Sequence, residues 1–212
     1  MRCLLLYYSL TGQADIAAKA AAETCTAKGW TPTLCRVDFF NPKDGPVRPL
    51  SPSDTAKWTK AARTGEIHPV AYAPVAALDA EYDLVLIFSN TWDGFPCTPI
   101  HSFLQSPQAA KLLAGKPFGV YIICRRLWTN NLDVVRKRGE ALSGRFVGGE
   151  AFMHPGSDTA SLIQTISYLW RAGPAWKSIL GFKLPAYGLS TEAIARLPQF
   201  TEVLLEQAKA PA

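Results

Sequence analysis

At 212 residues, with 48% hydrophobic and 18% charged side chains, the chain is sized and composed for a globular fold with a three-layer core, and disorder is excluded. No apolar run approaches the ~20 residues of a membrane-spanning helix, and Met1-Arg2 leads straight into a strand pattern, so no signal peptide is expected. The 22 basic and 17 acidic residues leave a net charge of +5, scattered rather than blocked, which suits anionic small molecules and brings no nucleic-acid motif with it.

The first predicted strand covers residues 3–8, an apolar run that stops at Ser9-Leu10-Thr11-Gly12. An alanine-rich helix over 13–28 follows without a spacer. Asp15, Lys19 and Glu23 form its outer stripe, while Ile16, Ala17, Ala20 and Ala21 make a face small enough to approach a sheet. Gly29 closes it. A strand feeding directly into a helix gathers unpaired N–H groups and the positive helix end at the turn, where Ser9 and Thr11 add hydroxyls. The turn is therefore either an anion site or an ordinary βα turn capped by a hydroxyl.

A second strand over 32–39 leads into a Pro- and Gly-rich loop over 41–50, and Ser51-Pro52-Ser53-Asp54 opens a helix to about residue 64. A second irregular stretch, 65–80, carries Pro69 and Pro74; the whole connection from residue 41 to 80 is long for one crossover and reads as an active-site flank, a subunit contact or a covering loop. Residues 83–88 form a continuous apolar strand that ends in Ser89-Asn90-Thr91-Trp92-Asp93-Gly94-Phe95-Pro96-Cys97. A helix over about 100–113, a strand at 117–124, a helix over about 131–142 and a strand at about 145–152 complete the alternation. Beyond it, 157–172 reads as a helix with Leu162, Ile163, Ile166, Leu169 and Trp170 on its apolar face. Residues 175–188 are apolar and aromatic, and Ser190 opens a last helix.

Five strands alternating with helices predict an α/β three-layer sandwich, with a five-stranded parallel sheet of order 2-1-3-4-5 and right-handed crossovers. Residues 1–152 are expected to form this core, and residues 153–212 a helical extension packed on the same domain. Such a sheet binds ligands at the carboxyl ends of strands one and three, where residues 9–13 and 89–99 converge. The cysteines (Cys3, Cys25, Cys35, Cys97 and Cys124) show no paired spacing, and His68, His101 and His154 show no ligand spacing. A reduced, cytoplasmic protein without a metal site is expected. Cys97 is either a reactive thiol or a packed residue.

Tyr8-Ser9-Leu10-Thr11-Gly12-Gln13, with its preceding strand and following helix, resembles the phosphate loop of flavodoxins, which holds the phosphate of FMN. Ala14 stands where that pattern has its last hydroxyl. Thr91-Trp92-x-Gly94-x-Pro96-x-x-Pro99-Ile100-x-x-Phe103-Leu104 is similar to the second flavin loop of flavodoxins and flavodoxin-derived quinone reductases. The likeness spans roughly residues 2–152. More loosely, the chain from Trp128 to Leu184-Pro185-Ala186-Tyr187-Gly188 is similar to flavodoxin-like proteins described as dialkylresorcinol-condensing enzymes.

The resemblance implies an FMN site with Ser9, Leu10, Thr11, Gly12, Gln13 and Ala14 around the phosphate. Asn90, Thr91, Trp92, Asp93 and Gly94 would lie beside the ring, and Cys124, Arg125 and Trp128 would form a third loop. Trp92 would stack on the ring or pack on a neighbouring loop. Arg125 would stabilise an anionic reduced flavin; alternatively Arg125 and Arg126 meet helix-end acids, bind a nicotinamide cofactor's phosphate, or stay solvated. The implied function is an oxidoreductase passing hydride or electrons to a quinone-like or other aromatic acceptor, fed by NAD(P)H or a redox protein. The basic charge argues against a plain electron carrier. The alternative is a cofactor-free accessory or binding protein in aromatic or lipid metabolism. Aromatic residues after Gly156 suggest a homodimer, because exposed apolar area seeks cover.

Overall fold

The apolar runs of the sequence become the central strands of one sheet. The computed structural model describes residues 1–210; residues 211 and 212, the end of the expected extension, lie outside the described residues. The strands are β1 (Arg2–Tyr7), β2 (Thr31–Phe39), β3 (Val70–Ala73), β4 (Leu84–Trp92), β5 (Phe95–Pro96), β6 (Pro117–Cys124), β7 (Arg145–Met153), β8 (Ser178–Ile179) and β9 (Phe182–Lys183). The α-helices are α1 (Gln13–Ala27), α2 (Pro52–Thr64), α3 (Thr98–Leu104), α4 (Pro107–Leu113), α5 (Thr129–Ala141), α6 (Asp158–Leu169) and α7 (Thr191–Lys209).

The main sheet has the order β3-β2-β1-β4-β6-β7. Its five long strands pair in parallel, so the expected 2-1-3-4-5 arrangement is present. Two antiparallel pieces are additions to it. β3, drawn from the Pro-bracketed connection, pairs with the outer edge of β2 from Arg36 to Phe39. β5 pairs back on the end of β4. The helix expected over 100–113 is two helices, because Pro107 cannot continue α3 and Ser106 accepts the Ala109 N–H to start α4.

Helices cover both faces. One layer joins Leu4, Leu6, Val85, Ile87, Val120 and Ile122 of the sheet to Trp58, Phe103, Leu113 and Val135. The other joins Leu5, Leu86, Phe88 and Tyr121 to α1 and α7 through Ala17, Ala21, Leu197 and Leu204. The buried face of α1 is Ala14, Ala17, Ala18, Ala21 and Cys25, an i, i+3, i+4, i+7 series. Ile16, expected on that face, is instead 44% exposed. α7 approaches the sheet closely at Gly119, where a Cβ would fall 2.5 Å from Leu204. Among the described residues, no helix is long and apolar enough to cross a membrane.

Candidate functional site

β1 and β4 end side by side at the carboxyl edge of the sheet, and two turns follow from them. In the first, Gly12 has φ 82°, a left-handed conformation that an L side chain resists, and a Cβ there would meet nothing within 4 Å. Backbone geometry, rather than crowding, makes this position glycine. Ser9 Oγ accepts the Asp15 N–H at 3.3 Å, and the Ile16 N–H donates to the Gly12 carbonyl at 3.0 Å. The amides of Gln13 and Ala14 head α1, where a helix has no carbonyl one turn back to receive them. Ala14 turns its methyl into the core beside the sheet, so the missing hydroxyl lies on the wrong side of α1 to serve the crevice.

The second turn begins later than the apolar run suggests. β4 continues through Ser89 and Asn90, which pair with Ile122 and Ile123, and on to Trp92. Asp93 (φ 51°) and Gly94 (φ 84°) then form a two-residue hairpin connection into β5, with both central residues at positive φ as in a type I′ turn. Two asparagines of α5 fix this hairpin, and the sequence reading had given neither a role. Asn131 is fully buried, accepts the Ser89 hydroxyl at 2.9 Å and donates to Thr91 Oγ1 at 2.9 Å. Asn130 donates to the Gly94 carbonyl at 3.1 Å. The only signal for them was an Asn pair at a helix start, which reads equally as capping. Asp93 is held by Arg63 at 2.8 Å.

Trp92 makes edge contacts with Tyr8 (centroids 5.9 Å, 78°) and Trp58 (6.0 Å, 65°). Its packing on neighbours and its place on the cavity wall therefore coexist. In the third loop, Arg125 binds the Asp158 carboxylate and, at 3.2 Å, the Asp158 carbonyl. Arg126 donates to the carbonyls of His154 (3.1 Å), Gly156 and Arg125. The two arginines thus staple the β6–α5 loop to the β7–α6 loop; of the readings open to them, the helix-end acid applies to Arg125. Trp128 packs against the core.

A cavity of about 290 Å³ connects these turns, at the small end of ligand pockets. Leu10, Thr11, Gln13, Asn90, Thr91, Trp92, Asp93, Gly94, Cys124 and Arg125 line it; Ser9, Gly12, Ala14 and Trp128 do not. The sequence reading did not anticipate its roof. Leu162, Thr165, Ile166 and Leu169 of α6 close one side with Leu50 and Trp58, and Tyr187 closes another. Tyr187 stacks on Tyr168 at 3.9 Å and meets His154 edge-on at 5.1 Å. Burial pushes its phenol up to about 12, partly offset by the Thr11 hydroxyl nearby. The Leu189 N–H donates to Gln13 Oε1 at 2.8 Å, so residues 187–189 form a strap across the first turn.

Burial, with the charges of Arg126 and Arg125, depresses His154 to about 4, so its imidazole is neutral near pH 7. Its Nδ1 is buried with no partner, and so is Asn90 Oδ1, and both residues line the cavity. Buried polar atoms are almost always satisfied, so these two orphans are exceptions, and both belong to residues of the cavity wall. Burial pushes both Cys124 and Cys97 up to about 12, so neither is a thiolate; Cys97 is the packed residue of the two alternatives.

No family model matches the chain, and no curated protein matches it. Among solved structures it is similar to a flavoprotein in complex with FMN from Lactobacillus acidophilus NCFM, at 16% identity and TM-score 0.53, over 71% of this chain and 92% of that one. It is similar to a flavodoxin from the domain Archaea at 9% identity and TM-score 0.54, over 99% and 100% of the two chains. Flavodoxin 2 from Bacillus cereus aligns at 13% identity and TM-score 0.54, over 98% and 99%. At such identities the likeness establishes architecture: the chain has the flavodoxin-like fold.

Proposed function

We propose that this chain binds FMN and works as an oxidoreductase on a small quinone-like or other aromatic acceptor. The observation that carries the reading is one cavity lined both by Leu10, Thr11 and Gln13 of the first turn and by the Trp92 hairpin, with Asn90, whose buried Oδ1 has no partner, on its wall. The residues fit the group. Gln13 and Ala14 amides at a helix start, beside an unobstructed Gly12, suit a phosphate dianion. Ser9, whose oxygen already receives the Asp15 N–H, still has its hydroxyl proton to donate. Asn90, Thr91 and the Asp93-Gly94 turn offer polar and backbone groups for a ring edge, and Trp92 an aromatic surface. FMN, when bound, supplies hydride or single-electron chemistry.

The chain's own contribution is position and exclusion of water. Asn130 and Asn131 lock the hairpin, so the ring-facing groups are set before binding. Leu162, Ile166 and Leu169, with Leu50 and Trp58, make an apolar wall suited to an acceptor ring and keep water from the site. Arg125 brings positive charge to the wall, compensated by Asp158, so its influence on a reduced ring is moderated. The roof favours a small acceptor over direct contact with a large partner, while the donor is NAD(P)H or a redox protein. Residues 1–152 form the FMN-binding core on this reading, and the following segment roofs it. Five free, buried cysteines support a reducing, cytoplasmic setting.

A second reading has one observation in its favour: the strap already engages the side chain of Gln13, as it would in a fold that had given up its cofactor. Purified protein reconstituted with FMN decides between them. A yellow complex whose flavin is released by Trp92→Ala supports the first; protein that stays colourless in excess FMN supports the cofactor-free binding protein.

A further inference from the structure

Residues 159–191 contain no aspartate or glutamate, yet Arg171, Lys177 and Lys183 lie among them. Near the middle of this stretch stands the β8–β9 hairpin. Its turn is made by Leu180 (φ 47°) and Gly181 (φ 80°). Two-residue turns of this kind favour Asn, Asp or Gly, whose side chains tolerate positive φ and water. Here a leucine takes the strained position and is 92% exposed, with Phe182 beside it at 75%. Trp176, at the base of the hairpin, is 40% exposed, and the Arg171 guanidinium lies 5.7 Å from its ring. Arg48 extends the basic border, donating to the carbonyls of Arg171 and Gly173.

We propose that this hairpin is a membrane-surface anchor: Leu180 and Phe182 enter the interface of an anionic bilayer, and Arg171, Lys177 and Lys183 bind its headgroups. Three occupants compete for such a tip, and charge separates them. A second copy docked by a two-fold contact would set the same cations against themselves. A nucleic acid would answer the cations but leave Leu180, which has no planar face to stack on a base, without a partner. An anionic lipid surface satisfies both at once, with apolar tips below the headgroups and lysines among them. The anchoring is peripheral and reversible, since two side chains and three charges make a weak attachment. It is independent of whether the crevice holds FMN.

The test is co-sedimentation of the full chain with phosphatidylglycerol–phosphatidylcholine vesicles and with pure phosphatidylcholine vesicles, at about 0.1 M salt, where charges within a Debye length still act. Wild type is expected to pellet with the anionic vesicles and to stay in solution with the neutral ones. Leu180→Asp/Phe182→Asp and, separately, Lys177→Glu/Lys183→Glu should each lower partitioning by more than about tenfold. Both pairs are exposed on the hairpin or at its base, and unchanged far-ultraviolet circular dichroism establishes that the variants fold. Val75→Asp, at another exposed apolar position, should change nothing. Wild type remaining in solution with anionic vesicles overturns the proposal, as does an apolar-pair variant that pellets undiminished. So does a dimer in sedimentation equilibrium that the apolar-pair variant disperses, or a single-stranded oligonucleotide bound through the lysines with no dependence on Leu180.

Discussion

The strap meets the first turn at Gly188 and Gln13, and the contact is close enough to calculate. Gly188 has φ 113°, and a Cβ there would fall 2.6 Å from Gln13 Oε1 and 2.9 Å from its Cδ. That same Oε1 receives the Leu189 N–H at 2.8 Å. Gly188→Ala therefore acts twice. The backbone conformation costs an L residue about 1–2 kcal/mol. Gln13 must also swing away, leaving the Leu189 N–H without its acceptor, for about another 1–2 kcal/mol. The expected loss is about 2–4 kcal/mol in all. With Gln13→Ala already present, obstacle and acceptor are both gone, and Gly188→Ala should cost only the backbone part. Denaturant unfolding of the four flavin-free proteins gives the cycle, with an expected coupling of about 1–2 kcal/mol. Additivity to within about 0.5 kcal/mol would mean that the strap does not rest on the turn, and the reasoning would fail.

Four further outcomes follow from named groups. His154 protonates near 4 in the fold but near 6.5 unfolded, so the unfolded chain binds the extra proton between these values. Stability should be full above pH 6.5 and fall by up to about 3 kcal/mol as pH drops towards 4. His101, also held low by burial, adds a slope of the same sign, so the check is a shallower pH dependence of unfolding in His154→Gln than in wild type. The native protein should leave a thiol reagent unreacted at mild alkaline pH and titrate five thiols once unfolded, because all five cysteines are buried. At Gly12, where the space is open, Ala should cost about 1–2 kcal/mol of stability through its φ alone. Asp at the same place adds a like charge to the anion site and should weaken FMN by about 100-fold or more in a fluorescence titration.

The order of the parallel strands was readable because each is a dense apolar run followed by a helical period, and a sheet covered on both faces admits few other topologies. The first crevice turn was readable for the same reason, as strand and helix leave no spacer around Gly12. β3 was hidden because four residues bracketed by Pro69 and Pro74 show no period, and its pairing depends on the exposed edge of β2. The β4–β5 hairpin did have a local signal in Asp93-Gly94, a pair typical of tight turns, which the surrounding loop residues masked. Pro107 likewise marked the break between α3 and α4. The roof was not legible at all. Leu162, Ile166 and Leu169 were visible as one helix face, but nothing local says that the face meets a cavity rather than the sheet. Gly188 and Leu189 reach Gln13 from more than 170 residues away in sequence, a juxtaposition only the folded chain provides.

A paired titration of FMN and riboflavin into apoprotein, followed by flavin fluorescence, measures the phosphate's share of binding directly. The two ligands have the same ring, so the difference reports the amides at the head of α1. FMN should bind at least about 100-fold more tightly than riboflavin, the effect of two or three charge-assisted hydrogen bonds. Equal affinity for the two, or no affinity for either, would contradict a phosphate seat in the Gly12 turn.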